Sequence, residues 1–151
     1  MRFAIVFRVL GLLLMLFSMT LIPPMLVSLI YDDSALFAFV ISFVIILLFG
    51  TAVWAPVHNN KQDLRTRDGF IVTALFWAVL GAAGALPFIL AESTSLSVVD
   101  AVFESLSGLT TTGATVITGL DALPHSLLFY RQQLQWLGGI GIVVIAVAIL
   151  P

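Results

Sequence analysis

Three long stretches of the chain contain no charged residue, and they restrict the folds that it can adopt. They cover residues 9–31, 34–57 and 69–91, which gives runs of 23, 24 and 23 residues. Because an α-helix rises about 1.5 Å per residue and the hydrocarbon core of a bilayer is about 30 Å thick, about 20 apolar residues are enough to cross it. Each stretch is therefore predicted to form a transmembrane helix.

The composition indicates a membrane protein and excludes several other classes. Of 151 residues, 61% are hydrophobic and 9% are charged, whereas about a quarter of the residues in a soluble domain are charged. Membrane lipid is therefore the predicted environment. The net charge of −2 and the lack of a long basic run argue against a nucleic-acid partner. Cysteine is absent, which excludes disulfides, thiolate metal sites and cysteine nucleophiles.

Further helix boundaries are predicted from the positions of the prolines. A fourth helix is expected over residues 124–151, because Pro124 would be well tolerated in a first helical turn. Pro23, Pro24 and Pro87 interrupt the first and third stretches, where a helix is expected to kink or end. The first stretch is interpreted as a span and not as a secretory signal, because it is long and no clear Ala-x-Ala cleavage site follows it.

The charges are distributed unequally over the two sides that these helices define. One side holds Arg2, Arg8, Lys61, Arg65 and Arg67 with Asp63 and Asp68, and the other holds Asp32, Asp33, Glu92, Asp100, Glu104 and Asp121 with Arg131. Because lysine and arginine are enriched in cytoplasmic loops, the N-terminus and the loop at residues 58–68 are predicted to be cytoplasmic. The other face is acidic and would concentrate cations, although topology alone produces such a bias.

Residues 93–123 are too polar to cross a bilayer and too apolar to form an ordinary exposed loop. Ser97 and Asp100 form an S-x-x-D pattern, which is typical of a helix N-terminus. Apolar residues then recur at helical spacing, at Val99, Val102, Phe103, Leu106 and Leu109. A helix over residues 98–109 would be too short to span the membrane and is expected to enter it partway.

The run Thr110–Thr115, with the sequence TTTGAT, follows this short helix and is poor in helix-forming residues. Extended backbone at membrane depth is allowed only where its polar groups are buried in protein or line a watery cavity, so one interpretation is a re-entrant loop. Threonine hydroxyls and successive carbonyl oxygens suit a dehydrated monovalent cation, and the run lacks the carboxylates that bind calcium. A polar turn, with Gly113 as the helix C-cap, explains the pattern equally well.

Motifs along the whole chain resemble one family of membrane proteins. They are LRTRDGF at residues 64–70, GALPF at 84–88, FESLSGLTTTGAT at 103–115, LP at 123–124, FYRQ at 129–132, GGIG at 138–141 and AILP at 148–151. In this order they are similar to the N-terminal portion of the TrkH/TrkG membrane subunits in the Trk/Ktr/HKT superfamily of potassium uptake proteins.

The resemblance implies a fold. It would be an all-α membrane protein with two preliminary transmembrane helices at residues 1–57, a cytoplasmic loop at 58–68 and a single pore repeat at 69–151. Within the repeat, the resemblance implies an outer helix at residues 69–91, a re-entrant pore helix at 98–109, a selectivity filter at 110–115 and an inner helix at 124–151.

The resemblance also implies a function and its partners. Thr110, Thr111, Thr112, Gly113 and Ala114 would form the potassium site, with the carbonyl oxygens of Thr111 and Thr112 as ligands. Potassium would be the transported ion, with no organic cofactor, and the bacterial inner membrane the location. The implied partners are the remaining repeats of the subunit, or further copies of the chain, and a cytosolic nucleotide-binding regulatory subunit.

The chain contains one repeat where the family has four. It is therefore expected to be the N-terminal part of a potassium transport subunit, in which one repeat supplies a quarter of the pore lining. Two alternatives remain open. In the first, the chain is a non-conducting remnant that packs against other helices. In the second, it is a small cation channel that assembles from several copies.

Arg131 would lie about 10 Å along the last helix, and a charge at that depth requires a partner. Glu104, Asp100 and Asp121 are the candidates. A structural ion pair that braces the filter is favoured over a gating charge, because charges within a membrane usually pair.

Gly138, Gly139 and Gly141 are interpreted as a site of close helix packing, with a hinge as the alternative. The sequence shows no nucleophile beside a base, no phosphate-binding glycine motif and no paired buried carboxylates. An enzyme is therefore not predicted.

Overall fold

The structure, a computed structural model, describes residues 3–59 and 66–149, without the side chains of residues 66–68 and 142–149. Within these residues the fold is helical and has no strand, which confirms the all-α prediction. The helices are α1 (Phe3–Met19), α2 (Ile22–Tyr31), α3 (Leu36–Trp54), α4 (Thr66–Gly84), α5 (Leu86–Leu90), α6 (Val98–Leu109) and α7 (His125–Ile149), with single 3-10 turns at Ala55–Val57 and Leu120–Ala122.

Three spans in the described part of the chain are long and apolar enough to cross a membrane, as predicted. They are Phe3–Tyr31, Leu36–Val57 and Gly69–Leu90, with 29, 22 and 22 residues. Helix α7 has 25 residues, which corresponds to a length of about 37 Å. It begins at His125, one residue after Pro124. Residues 60–65 of the expected loop, with Lys61 and Arg65, and residues 150–151 of the expected last helix lie outside the described residues.

The prolines break two spans, as predicted, and α7 contacts both breaks. Pro24 lacks the N–H that would bond the carbonyl of Thr20 in a continuous helix, and Gln133 Nε2 of α7 donates to that carbonyl at 2.6 Å. In the third span, α4 ends at Gly84 and Pro87 lies in the first turn of α5. Tyr130 Oη donates to the carbonyl of Gly84 at 2.8 Å. Side chains of α7 thus satisfy carbonyl groups at both breaks, as a membrane interior requires.

The core lies where these helices meet. Helix α1 packs along α3, α4 contacts α1 and α6, and α7 contacts α2 and α6. Gly11 permits a close approach of α1 to α3, because a Cβ there would be 2.9 Å from the carbonyl oxygen of Gly50. The largest fully buried side chains include Tyr130, Phe39, Phe88 and Leu14. Burial of such side chains holds the short helices α5 and α6 against the long ones.

Gly138 allows α6 and α7 to approach each other closely. A Cβ at this position would collide with the carbonyl group of Leu109, the last residue of α6. At Gly139 the nearest atom would be Thr111 Cγ2 at 4.0 Å, and at Gly141 it would be a ring carbon of Phe76 at 3.8 Å. The prediction of close packing is therefore confirmed at Gly138, whereas Gly139 and Gly141 have space for a methyl group.

We predict that Gly138→Ala lowers the unfolding temperature of the protein in detergent, whereas Gly139→Ala does not. Alanine favours a helix over glycine by about 0.8–1.0 kcal/mol, so both changes gain the same local stability. Only the methyl group at residue 138 meets the backbone of α6. Equal unfolding temperatures for the two variants would contradict the packing at Gly138.

Candidate functional site

The short helix α6 begins at the predicted cap. The backbone N–H of Asp100 donates to Ser97 Oγ at 3.2 Å, and the Ser97 hydroxyl donates to the Asp100 carboxylate at 2.7 Å. With 12 residues, α6 is about 18 Å long. Its last residue, Leu109, lies against Gly138, which is about 20 Å along α7 from His125. The C-terminus of α6 is therefore near the middle of α7.

Residues Thr110–Thr115, which we name the TTTGAT loop, begin with a tight turn at the end of α6. The N–H of Thr111 donates to the carbonyl of Gly108, and the N–H of Thr112 donates to the carbonyl of Ser107, both at 2.9 Å. This pair of bonds is the Schellman pattern, in which the left-handed residue is usually glycine. Here that residue is Thr111, with φ at 58°, and not Gly113, which the polar-turn interpretation placed at the cap.

Two positive φ angles therefore shape the TTTGAT loop, at Thr111 and at Gly113, whose φ is 75°. Glycine adopts this conformation without a steric penalty. A β-branched residue such as threonine does so only under strain, which costs about 1–3 kcal/mol. The surrounding hydrogen bonds must therefore hold the loop in its conformation.

The TTTGAT loop leaves three successive carbonyl oxygens without a hydrogen bond. Within residues 3–59 and 66–149, no donor contacts the carbonyl oxygens of Thr111, Thr112 and Gly113. The carbonyls on either side are engaged: that of Thr110 accepts from Thr111 Oγ1 at 2.7 Å, and that of Ala114 accepts from Ser107 Oγ at 2.6 Å. The five residues predicted to bind potassium therefore form one loop, with free carbonyls at its centre.

Glu104 connects the TTTGAT loop to α6 and α7. Its Oε1 accepts from Arg131 Nε at 2.5 Å and from Thr115 Oγ1 at 2.7 Å, and its Oε2 accepts from the N–H of Val116 at 3.1 Å. The side chains of Glu104 and Arg131 are 1% and 9% exposed. Of the three candidate partners of Arg131, the structure pairs it with Glu104, whereas Asp100 bonds Ser97 at the start of α6.

A second carboxylate, which the sequence did not single out, fixes the start of α7. Asp33 Oδ1 accepts from Ser28 Oγ at 2.5 Å, from Ser126 Oγ at 2.9 Å and from the N–H of Ala35 at 3.1 Å. Its Oδ2 accepts from the N–H of Ser126 at 2.9 Å. A carboxylate is stabilised at a helix N-terminus, so Asp33 joins the turn between α2 and α3 to α7.

Asp33 lies between two spans, and its environment changes its acidity. Burial raises the pKa of the Asp33 carboxyl, but the hydrogen bonds from Ser28, Ser126 and Ala35 lower it by more, so the net pKa lies below the usual value. The charged form is therefore the one that the fold stabilises.

Comparison with known proteins places the chain in a family. A family model described as the cation transport protein TrkH matches residues 35–151. The chain belongs to this family. It is 57% identical over 151 residues to the Trk system potassium uptake protein TrkH of Halomonas elongata. It is 44% identical over 141 residues to the Trk system potassium uptake protein TrkG of Escherichia coli, which is 93% of this chain and 29% of that relative.

A solved structure shows the same fold. The crystal structure of the potassium transporter TrkH from Vibrio parahaemolyticus matches the whole chain with a TM-score of 0.95 and 56% identity. The chain covers 32% of that protein and 31% of the relative from Halomonas elongata, so it spans about a third of the length of the relatives that it matches. The family resemblance and the fold class predicted from the sequence are confirmed. With three apolar spans in the described residues, the chain is an integral membrane protein.

We predict that Arg131→Ala lowers the free energy of unfolding in detergent by about 3–5 kcal/mol, because it leaves the buried Glu104 charge without its cation. In a Glu104→Gln background the same change is expected to cost less, since no buried charge is left unpaired. Gln132→Ala, which alters the exposed neighbour on α7, is the control. A normal yield and an unchanged stability of Arg131→Ala would refute a structural ion pair.

We predict that Asp33→Asn lowers the free energy of unfolding at neutral pH by about 1–3 kcal/mol, because both carboxylate oxygens accept bonds from Ser126, and the amide of asparagine has only one acceptor oxygen. The folded pKa is depressed, so the stabilisation is complete above the unfolded pKa of about 3.9 and is lost as the pH falls through the folded value. The difference between parent and variant should therefore shrink in acid.

The control for this measurement is Asp32→Asn, one residue earlier. Asp32 is exposed and its carboxylate accepts no hydrogen bond in the described part of the chain. It also has a φ of 49°, which asparagine tolerates well. A pH dependence of stability that is equally altered by both substitutions would contradict the role of Asp33.

Proposed function

We propose that the chain takes part in potassium uptake as the first pore repeat of a longer transport protein, and that the TTTGAT loop lines its ion pathway. The row of free carbonyl oxygens at Thr111, Thr112 and Gly113 carries this proposal. Potassium filters replace the hydration shell of the ion by such carbonyl oxygens. The loop contains no carboxylate, which suits a monovalent ion better than calcium.

The surroundings of the loop favour a cation at the same place. The C-terminal end of α6 carries the partial negative charge of the helix dipole, and the TTTGAT loop follows directly after it. All six loop residues are exposed in this chain, so the face with the carbonyl row is available to further elements. The hydrogen bonds of Glu104, Thr115 and Ser107 lie on the other side and hold the loop against α6.

One loop cannot surround an ion. In this proposal the other parts of the pathway come from the remaining repeats of a longer subunit, and the length of the relatives supports this, since the chain spans about a third of them. The protein would lie in the bacterial inner membrane with its N-terminus in the cytoplasm, and a cytosolic nucleotide-binding subunit would regulate it. Potassium is the cargo, and the proposal involves no organic cofactor and no catalysed reaction.

We predict that Gly113→Asp reduces potassium uptake by about tenfold or more, because a fixed carboxylate in the carbonyl row would hold a cation too tightly to release it. The assay uses a chimera in which this chain replaces the matching third of the TrkH protein of known structure. Rubidium uptake is measured in cells that lack other potassium uptake systems.

Gly119→Asp is the matched control. Gly119 also has a positive φ, of 71°, and no atom lies within 4 Å of a Cβ built on it, but it lies outside the loop. Uptake by Gly113→Asp at the parental rate would refute the filter assignment. Uptake by this chain expressed alone would show assembly from several copies, and a chimera that folds but transports nothing would favour the non-conducting scaffold.

A further inference from the structure

Ser107, in the last turn of α6, contacts the TTTGAT loop at three points. Its carbonyl oxygen accepts from the N–H of Thr112 at 2.9 Å and from the N–H of Gly113 at 3.3 Å. Its hydroxyl donates to the carbonyl of Ala114 at 2.6 Å. The Ser107 residue is 6% exposed, so its end of these bonds is buried. Ser107 therefore bonds Gly113 and the residues directly before and after it.

Because the peptide bond is planar, these contacts also determine where the loop carbonyls point. In a trans peptide the N–H of one residue and the C=O of the preceding residue point in opposite directions, and the described residues contain no cis peptide. The N–H groups of Thr112 and Gly113 point to Ser107, so the carbonyls of Thr111 and Thr112 point away from α6. The carbonyl of Ala114 has the reverse orientation and points to α6.

We propose that Ser107 is a positioning residue for ion selection, because its hydroxyl keeps the Ala114 carbonyl out of the row of ion ligands. This inference rests on the proposed function of the TTTGAT loop. Discrimination between cations by a carbonyl site depends on the number of ligands and on their field strength. A fixed Ala114–Thr115 peptide limits the row to the carbonyls of Thr111, Thr112 and Gly113.

Loss of the hydroxyl would change the ligand row without removing it. The bonds from Thr112 and Gly113 go to the backbone oxygen of Ser107 and persist when its side chain is shortened. The carbonyl of the peptide between Ala114 and Thr115 loses the hydrogen bond from Ser107, whereas the bonds of Glu104 to Thr115 Oγ1 and to the N–H of Val116 still hold the chain that follows. The Ala114 carbonyl can then turn towards the ion as an additional ligand.

The test compares Ser107→Ala with Ser105→Ala in the same chimera. Ser105 is also a fully buried serine of α6, but its hydroxyl has no hydrogen-bond partner in the described part of the chain. Uptake of rubidium and of sodium is measured for each. We expect Ser107→Ala to raise sodium uptake relative to rubidium by about three- to tenfold, the factor expected for one lost hydrogen bond, and Ser105→Ala to leave the ratio at the parental value.

Two further variants separate positioning from folding. Ser107→Thr keeps the hydroxyl and should restore the parental ratio, whereas Ser107→Cys has a similar volume but a weak donor and should resemble alanine. Membrane protein levels and unfolding temperatures are measured for all variants. If neither Ser107→Ala nor Ser107→Cys folds, the hydroxyl serves folding and the proposal is wrong.

The outcomes also distinguish this inference from the proposed function. If Gly113→Asp abolishes uptake but Ser107→Ala keeps the parental ratio, the loop still lines the pathway and the role of Ser107 is refuted. If Gly113→Asp has no effect, both proposals are refuted. An equal change of the ratio in Ser105→Ala and Ser107→Ala would show a general effect of α6 packing and would also overturn the assignment to Ser107.

Discussion

The buried carboxylate of Glu104 is the interaction on which the arrangement around the TTTGAT loop depends. A charge removed from water is costly unless ion pairing and hydrogen bonds compensate it. Here the donors are Arg131 on α7, Thr115 at the end of the loop and Val116 directly after it. Because all of them must meet one carboxylate on α6, the positions of both segments relative to α6 are fixed together.

Helix α7 extends this constraint to the first two spans. In its N-terminal half, the N–H of Ser126 donates to the carboxylate of Asp33. The side chains of Tyr130 and Gln133 donate to carbonyl groups at the two helix breaks. The two spans that precede the repeat are therefore bound to the same helix that holds Glu104. A displacement of α7 would therefore disturb the loop and both proline breaks at once.

The sequence predicted features that depend on local pattern and missed those that depend on distant contacts. Span lengths, the proline breaks and the Ser97 cap follow from nearby residues, and each is present in the structure. The bond between Asp33 and Ser126 joins residues 93 positions apart, so no local pattern reveals it. The choice of Glu104 over Asp100 for Arg131 likewise depends on how α6 packs on α7.

The left-handed Thr111 shows why local propensity failed at the loop itself. Glycine is the usual residue for this conformation, and one of the two interpretations of the sequence therefore placed Gly113 at the cap. The structure places a strained threonine there, and the bonds of Ser107 and Gly108 hold it. These bonds use N–H groups, so they leave the carbonyls of Thr111 and Thr112 free and aligned on the opposite side. Aligned carbonyl dipoles repel one another, and a bound cation would relieve that repulsion. The strain and the free carbonyls are thus two consequences of one backbone conformation.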